Sequence, residues 1–144
     1  MNQQKLNVAV AGLGGRGRYL ARAFNEDPRT RLVAVYDTNP QALKSAQAMF
    51  GDSVAYYHDQ AAMCAQSDFQ IGVVASWDRA HHDNAINFLE HGVHVYLEKP
   101  MAALSWPRPP IMSPSEGTII FMATVAAKPS SRVSFSKRER ILSI

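Results

Sequence analysis

The stretch that most constrains the fold of this chain is V-A-V-A-G-L-G-G-R-G, at residues 8–17. Its apolar start predicts a short buried strand, and the G-x-G-x-x-G spacing of Gly12, Gly14 and Gly17 predicts a tight turn into a helix. A strand, a glycine turn and a helix in this order are typical of a dinucleotide-binding unit. In such a unit Gly12 allows the turn, Gly14 lets the backbone approach a pyrophosphate, and Gly17 lets the helix pack close to the sheet.

The residues between these glycines are further candidates for cofactor contacts. Leu13, Gly15 and Arg16 stand within the same turn, and we include them with the glycines as predicted cofactor-binding residues. The helix that follows offers unpaired N–H groups and a partial positive charge to phosphates. Arg16 and Arg18 add positive charge nearby, unless both side chains are simply solvated.

A second apolar segment, residues 31–36, ends in the carboxylate of Asp37. Asp37 follows Gly17 at the distance of about 20 residues at which a Rossmann unit places the acid that binds the ribose hydroxyls. An acid there favours NAD over NADP, because a 2′-phosphate would face a like charge. The alternative is that Asp37 caps a helix that opens at Pro40. The glycine pattern also leaves open FAD, or a fold that has lost its ligand.

Strands and helices alternate regularly as far as about residue 104. This alternation predicts an α/β fold with a Rossmann-type, doubly wound parallel sheet. In the last helix, Ala85, Ile86 and Leu89 are expected to face inward. The predicted strands are 5–11, 31–37, 54–57, 69–75 and 93–97, and the predicted helices are 16–26, 40–50, 60–65 and 80–90.

Composition limits the class of protein. The 144 residues contain no apolar run long enough for a membrane span and no signal-peptide pattern, so we expect a cytoplasmic chain without a membrane partner. The single cysteine, Cys64, fits a reducing compartment and is expected to be packed rather than catalytic. No metal site is predicted, because the spacing of His58, His82, His91 and His94 does not suit one.

The formal net charge of +3 is unevenly distributed. Residues 1–104 carry nine Lys and Arg against ten Asp and Glu, whereas residues 105–144 carry six against two. The basic character therefore belongs to the C-terminal segment. That segment lacks interleaved aromatic residues and its charges are few, so we expect no nucleic-acid partner.

Glu98-Lys99-Pro100, directly after the fifth predicted strand, completes a recognisable pattern. The chain resembles the N-terminal half of the oxidoreductase family named for glucose–fructose oxidoreductase, inositol dehydrogenase and the rhizopine catabolism protein (Gfo/Idh/MocA). One departure is Ser76-Trp77, where members of the family often have Thr-Pro. The matching motifs are A-G-L-G-G-R-G (11–17), V-A-V-Y-D (33–37), G-V-V-A-S (72–76) followed by His81, and H-G-V-H-V-Y-L-E-K-P-M-A (91–102).

The resemblance implies an enzyme that moves hydride between NAD(P) and a carbinol carbon, commonly of a sugar, a polyol or a related small molecule. It implies that Lys99 sits beside the nicotinamide and hydrogen-bonds the reacting hydroxyl, and that Glu98 helps to orient Lys99. Ser76 and His81, after the fourth strand, would lie near the cofactor. Without the resemblance, Lys99 is typical of an exposed lysine at a strand end, and His81 of a polar residue at the start of a helix.

After Leu104 the sequence changes character. Residues 105–144 contain five of the eight prolines and eight serines, which predicts an irregular or disordered tail after a nucleotide-binding domain at residues 1–104. A one-base shift in reading frame would account for the change, because the shifted frame permits L-A-E-A and then G-Y-S-R-R, both similar to the family.

If residues 105–144 are translated in a shifted reading frame, three expectations follow. The sheet should be incomplete at its C-terminal edge, unless residues 118–121 pair there. The second, α+β substrate domain of the family should be absent, and this chain alone should then be inactive. The alternative is a non-catalytic dinucleotide-binding module or a decayed gene product. The oligomeric state stays open, because members of the family often associate through the second domain.

Overall fold

The computed structural model of the chain describes residues 4–99 and the backbone of residues 119–121. The strands are β1 (Leu6–Ala11), β2 (Thr30–Tyr36), β3 (Ala55–Tyr57), β4 (Ile71–Val74), β5 (His94–Leu97) and β6 (Ile119–Phe121). The helices are α1 (Gly15–Glu26), α2 (Pro40–Phe50), α3 (Gln60–Gln66) and α4 (His81–Glu90), with short 3-10 turns at Gly51–Ser53 and Asp78–Ala80.

The six strands form one sheet in the order β3-β2-β1-β4-β5-β6, and every neighbouring pair is parallel. This arrangement confirms the predicted α/β, doubly wound parallel sheet. The strand order reverses between β1 and β4, because the chain runs outward from β1 to β3 and then returns to β1's other side. Sheets of this kind bind ligands outside the carboxyl ends of the strands at that point of reversal.

The edge strand β6 differs from the expectation of an open edge. Ile119–Phe121 pairs in parallel with β5, with Val95 opposite Ile119 and Leu97 opposite Phe121. Three residues of the edge are therefore covered, because a short apolar segment with two isoleucines suits a strand and the β5 edge offers it hydrogen-bonding partners. The proposed domain boundary at 104, and the rest of the predicted tail, lie outside the described residues.

The core lies on both faces of the sheet, because successive strand residues point to opposite sides. One face packs Val8, Val10 and Val73 against α1 and α2, and the other packs Val74 and Val95 against α3 and α4. These five residues are fully buried. The two-sided burial explains why the central strands read as continuous apolar runs rather than as alternating patterns.

Helix α4 corrects one detail of the predicted core. Ala85 and Leu89 are buried as expected, but the Ile86 side chain is 41% exposed. The buried positions of α4 instead follow the three- and four-residue spacing of a helix face, and that face includes two polar residues. They are His81, Asn84, Ala85, Phe88 and Leu89.

Candidate functional site

The chain passes from β1 to α1 through a turn in which two glycines are required by backbone packing. Gly12 has φ of +94°, and a Cβ there would overlap the backbone of Ser76 at the end of the β4 segment. A Cβ on Gly17 would overlap the carbonyl oxygen of Gly12. Gly12 therefore permits the tight turn and Gly17 the close approach of α1 to it, which are the structural roles that the spacing predicts.

Gly14 and Gly15 are under no such constraint. A Cβ on either residue meets no atom of the described structure within 4 Å, and Gly14 has φ of −61°, which any residue can adopt. Gly14 is the N-cap of α1, so the open space lies where the first N–H groups of a helix lack intrahelical partners. Free space beside such N–H groups is what a diphosphate requires.

Asp37 reaches this turn directly. Its Oδ2 accepts a hydrogen bond from the Leu13 N–H at 2.6 Å, and its Oδ1 accepts one from the Asn39 N–H at 2.8 Å. The half-buried carboxylate is thus held between the ends of β1 and β2, and both oxygens keep lone pairs for further donors. Helix α2 is capped by Asn39, whose Oδ1 accepts from the Gln41 N–H, so the alternative role of Asp37 as that cap is wrong.

An ion pair joins the first turn of α1 to the end of β5. Arg16 donates from Nε and Nη2 to Glu98 Oε1 at 2.9 and 2.7 Å. The Glu98 side chain is only 15% exposed, whereas the Arg16 side chain is 53% exposed. The central carbon of the Arg16 guanidinium lies 5.3 Å from the centre of the Tyr19 ring. The hydrogen bond to Glu98 raises the pKa of Arg16. Arg16 is therefore not simply solvated, and Glu98 neutralises much of its charge.

Lys99 lies at the same edge of the sheet as the glycine turn. The Glu98 N–H donates to the Val74 carbonyl at 3.0 Å, which ties this segment to β4. The Lys99 backbone N–H lies 3.4 Å from Glu98 Oε2, and the Lys99 residue is exposed. Glu98 thus contacts Lys99 through its backbone amide, and Lys99 is exposed at this edge of the sheet.

A buried polar network holds the loop that follows β4. Ser76 Oγ donates to Asn84 Oδ1 at 2.6 Å, and His81 Nε2 lies 2.9 Å from the Ser76 carbonyl oxygen. Asn84 Nδ2 donates to Gln60 Oε1 at 2.7 Å, and Gln60 Nε2 donates to the Asn84 carbonyl at 2.9 Å. The exposed fractions of His81, Gln60 and Asn84 are 1%, 4% and 8%. His81 therefore supports the loop from the protein interior.

Gln60 and Asn84 were not among the predicted site residues. The signal that could have found Asn84 is its place on the buried face of α4, three residues after His81. Gln60 follows Asp59, the N-cap of α3, and nothing in the local sequence pairs it with a residue 24 positions away. The loop itself projects outward at Trp77, which is 84% exposed, and residues 76–79 line a shallow depression of about 260 Å³.

Over residues 4–99, no three His, Cys, Asp or Glu side chains are grouped so as to hold a metal ion. No helix in the part of the chain that the structure describes combines the length and apolar character needed to cross a membrane. Cys64 is half-buried in α3, and burial raises the pKa of its thiol to about 11.

Comparison with known proteins gives consistent relatives for this domain. Inositol 2-dehydrogenase of Burkholderia ambifaria is 32% identical over 98 residues, which are 67% of this chain and 29% of that protein. The crystal structure of the WlbA dehydrogenase from Bordetella pertussis, in complex with NADH and UDP-GlcNAcA, matches with a TM-score of 0.64 at 32% identity, over 69% of this chain and 30% of that one.

A third relative is myo-inositol dehydrogenase from Lactobacillus casei, whose structure is in complex with NAD(H) and myo-inositol. It matches with a TM-score of 0.65 at 25% identity, over 69% of this chain and 30% of that chain. The chain thus spans about three tenths of the length of the relatives that it matches.

Residues 6–108 match GFO_IDH_MocA, described as an oxidoreductase family with an NAD-binding Rossmann fold. The match covers well over half of the chain and includes the glycine turn, Asp37 and the Glu98-Lys99 segment. It confirms the predicted resemblance and the predicted cofactor, NAD. The chain therefore belongs to the Gfo/Idh/MocA oxidoreductase family, by way of that family's NAD-binding Rossmann fold.

Proposed function

We propose that this chain holds NAD(H) across the carboxyl edge of its sheet, as the nucleotide-binding part of an oxidoreductase acting on CH–OH groups of sugars, polyols or related compounds. The relatives support the substrate class, because two of them are inositol dehydrogenases and a third is in complex with UDP-GlcNAcA.

The observation that carries the proposal is the hydrogen bond between Leu13 N–H and Asp37 Oδ2 at 2.6 Å. This bond places a carboxylate that can accept hydrogen bonds from ribose hydroxyls directly beside a turn whose N–H groups can bind a diphosphate. Within that turn, Gly14 leaves open space, because a Cβ there would meet no atom of the described structure within 4 Å. An acid at this position accepts hydrogen bonds from ribose hydroxyls and repels a 2′-phosphate, so NAD is preferred to NADP.

Each of the other residues has a role that its position supports. The N–H groups at the start of α1, around Gly15 and Arg16, bind the diphosphate. The nicotinamide, when bound, supplies the hydride acceptor or donor. Lys99 hydrogen-bonds the reacting hydroxyl and exchanges a proton with it, and Glu98 holds the Lys99 backbone in place. Ser76 and His81 shape the loop on the β4 side of the site.

This chain is expected to bind the cofactor without oxidising a substrate at a measurable rate. Among the described residues, Lys99 is the one group assigned to proton transfer, and it is exposed. Catalysis depends strongly on holding the substrate against the reacting groups. We therefore expect the 144-residue chain to bind NADH while showing negligible oxidation of myo-inositol by itself.

The test is calorimetric titration of the chain with NADH and with NADPH. Wild type is expected to bind NADH more tightly, and Asp37→Asn to weaken NADH binding by about tenfold or more, since a charge-assisted hydrogen bond contributes about 1.5–3 kcal/mol. Asp52→Asn, which changes an exposed carboxylate in the turn after α2, is the matched control. Absence of heat with NADH, or equal affinities of wild type and Asp37→Asn, would contradict the proposal.

A further inference from the structure

Two strand ends flank the glycine turn on opposite sides. Asp37 follows β2 on one side of β1, and Ser76 follows β4 on the other. Ser76 packs against the turn so closely that a Cβ on Gly12 would overlap its backbone. If the adenosine ribose is on Asp37 and the diphosphate on the turn, as the proposed function has it, the nicotinamide half of the cofactor extends toward Ser76.

The amide groups of Gln60 and Asn84 have only one orientation that satisfies every hydrogen bond. The Asn84 backbone carbonyl can only accept, so the atom of Gln60 that faces it must be Nε2, and Oε1 then faces Asn84. Oε1 must receive its hydrogen bond from Asn84 Nδ2, which leaves Asn84 Oδ1 facing Ser76. Among the described residues, no buried side-chain nitrogen or oxygen atom lacks a partner, so this network is complete.

The orientation of the Asn84 amide determines how the Ser76 hydroxyl can hydrogen-bond. Because Asn84 Oδ1 is an acceptor, the Ser76 hydroxyl must direct its only proton at it, across 2.6 Å. The Ser76 oxygen is then restricted to accepting hydrogen bonds on its remaining side, and Ser76 is half-buried rather than sealed from the site. A ribose hydroxyl or the carboxamide NH₂ of a nicotinamide is a donor of the kind that this oxygen accepts.

We infer that Gln60 and Asn84 are positioning residues that fix the Ser76 hydroxyl as an acceptor for the nicotinamide half of NAD(H). The inference rests on the proposed NAD(H) binding. Stability alone explains the pair poorly, since a buried amide pair gains little over apolar side chains of the same shape. What the amide pair does determine is the direction in which the Ser76 hydroxyl proton points.

The experiment compares NADH with ADP, which lacks the nicotinamide and its ribose, by calorimetric titration. The double variant Gln60→Met/Asn84→Leu replaces both amides by side chains of similar shape, so it is expected to stay folded. Its affinity for NADH is expected to fall about three- to tenfold, the effect of one hydrogen bond, while its affinity for ADP changes less than about twofold. Gln47→Met/Asn25→Leu, at exposed helix positions, is the matched control.

A second variant separates positioning from a general effect on packing. Ser76→Ala removes the hydroxyl and leaves Asn84 Oδ1 without its donor, so its folding is checked by thermal unfolding. The folded variant is expected to reproduce the selective loss of NADH affinity. Combining it with the double variant should add no further loss, because both act through the same oxygen.

Equal weakening of ADP and NADH, unchanged NADH affinity in both variants, or fully additive losses would overturn the inference. Wild-type protein that binds neither nucleotide would instead overturn the proposed function.

Discussion

The contrast between Gly14 and Gly17 gives the sharpest prediction about the glycine turn. Both belong to the same motif, yet the structure requires glycine at only one of them. A Cβ on Gly17 would overlap the Gly12 carbonyl oxygen, whereas a Cβ on Gly14 meets no atom of the described residues within 4 Å. We therefore expect Gly17→Ala to affect stability and Gly14→Ala to affect cofactor binding.

The magnitudes follow from these contacts. In Gly17→Ala the overlap is with backbone, so α1 must shift away from the turn, at a cost of about 3 kcal/mol. For a domain of about 100 residues this lowers Tm by about 12–24 °C. In Gly14→Ala, the lower entropy of the unfolded chain favours folding by about 0.4–1 kcal/mol. Loss of a favourable N-cap residue opposes it by about 1 kcal/mol, so stability stays nearly constant.

The assay is thermal unfolding followed by circular dichroism, together with NADH titration of each folded variant. Gly14→Ala is expected to keep the wild-type Tm within about 5 °C and to lose about tenfold or more in NADH affinity, because its methyl group enters the diphosphate space. Wild-type affinity in Gly14→Ala, or wild-type stability in Gly17→Ala, would refute the assignment of these two roles.

Three further predictions concern charges and the thiol. Glu98→Gln should free the Arg16 guanidinium from its ion pair and tighten ADP binding about threefold at low salt. Calorimetry should show that this gain disappears at high salt, and weaker ADP binding by the variant would contradict the role given to the ion pair. Arg29 lowers the pKa of Asp27 from 3.8 to about 2, so this carboxylate stabilises the fold above pH 3.8 and ceases to do so as the pH falls through about 2. The free energy of unfolding, measured with urea at each pH, should be higher for wild type than for Asp27→Asn above pH 3.8, and this difference should vanish as the pH falls to about 2. A difference that persists below about pH 2 would contradict this role of Asp27. Burial raises the pKa of Cys64 from 9.0 to about 11, so near neutral pH alkylation by iodoacetamide should be about tenfold or more slower in the folded than in the unfolded chain. Equal rates would exclude a protected thiol.

The local sequence pattern was sufficient to predict the sheet as far as β5 and the glycine turn. The predicted strands and helices up to β5 lie within two residues of the observed bounds, because each buried strand and each amphipathic helix has its own period and its own turn residues. Spacing alone also predicts the position of Asp37 at the end of β2, beside the glycine turn, because the length of one β-α-β unit determines where the second strand ends.

Features that depend on contacts distant in sequence were not predictable in this way. The pair of Arg16 and Glu98 spans 82 positions, and the pair of Gln60 and Asn84 spans 24. A polar side chain on a helix is expected to face water unless its partner on another helix is known, so the pattern of α4 does not single out the buried Asn84 and predicts a buried Ile86 instead. The pairing of β6 with β5 is likewise set by an available edge rather than by the residues between them.

An NMR titration of the ¹⁵N-glycine-labelled chain with NADH tests most directly whether the cofactor binds at the glycine turn. Gly12, Gly14 and Gly15 lie at the carboxyl edge of the sheet, whereas Gly51 and Gly92 follow α2 and α4 toward the opposite edge. We expect saturable shifts of the amide signals of Gly12, Gly14 and Gly15, and no shifts of those of Gly51 and Gly92. Shifts confined to Gly51 and Gly92, or no shifts at saturating NADH, would contradict this expectation.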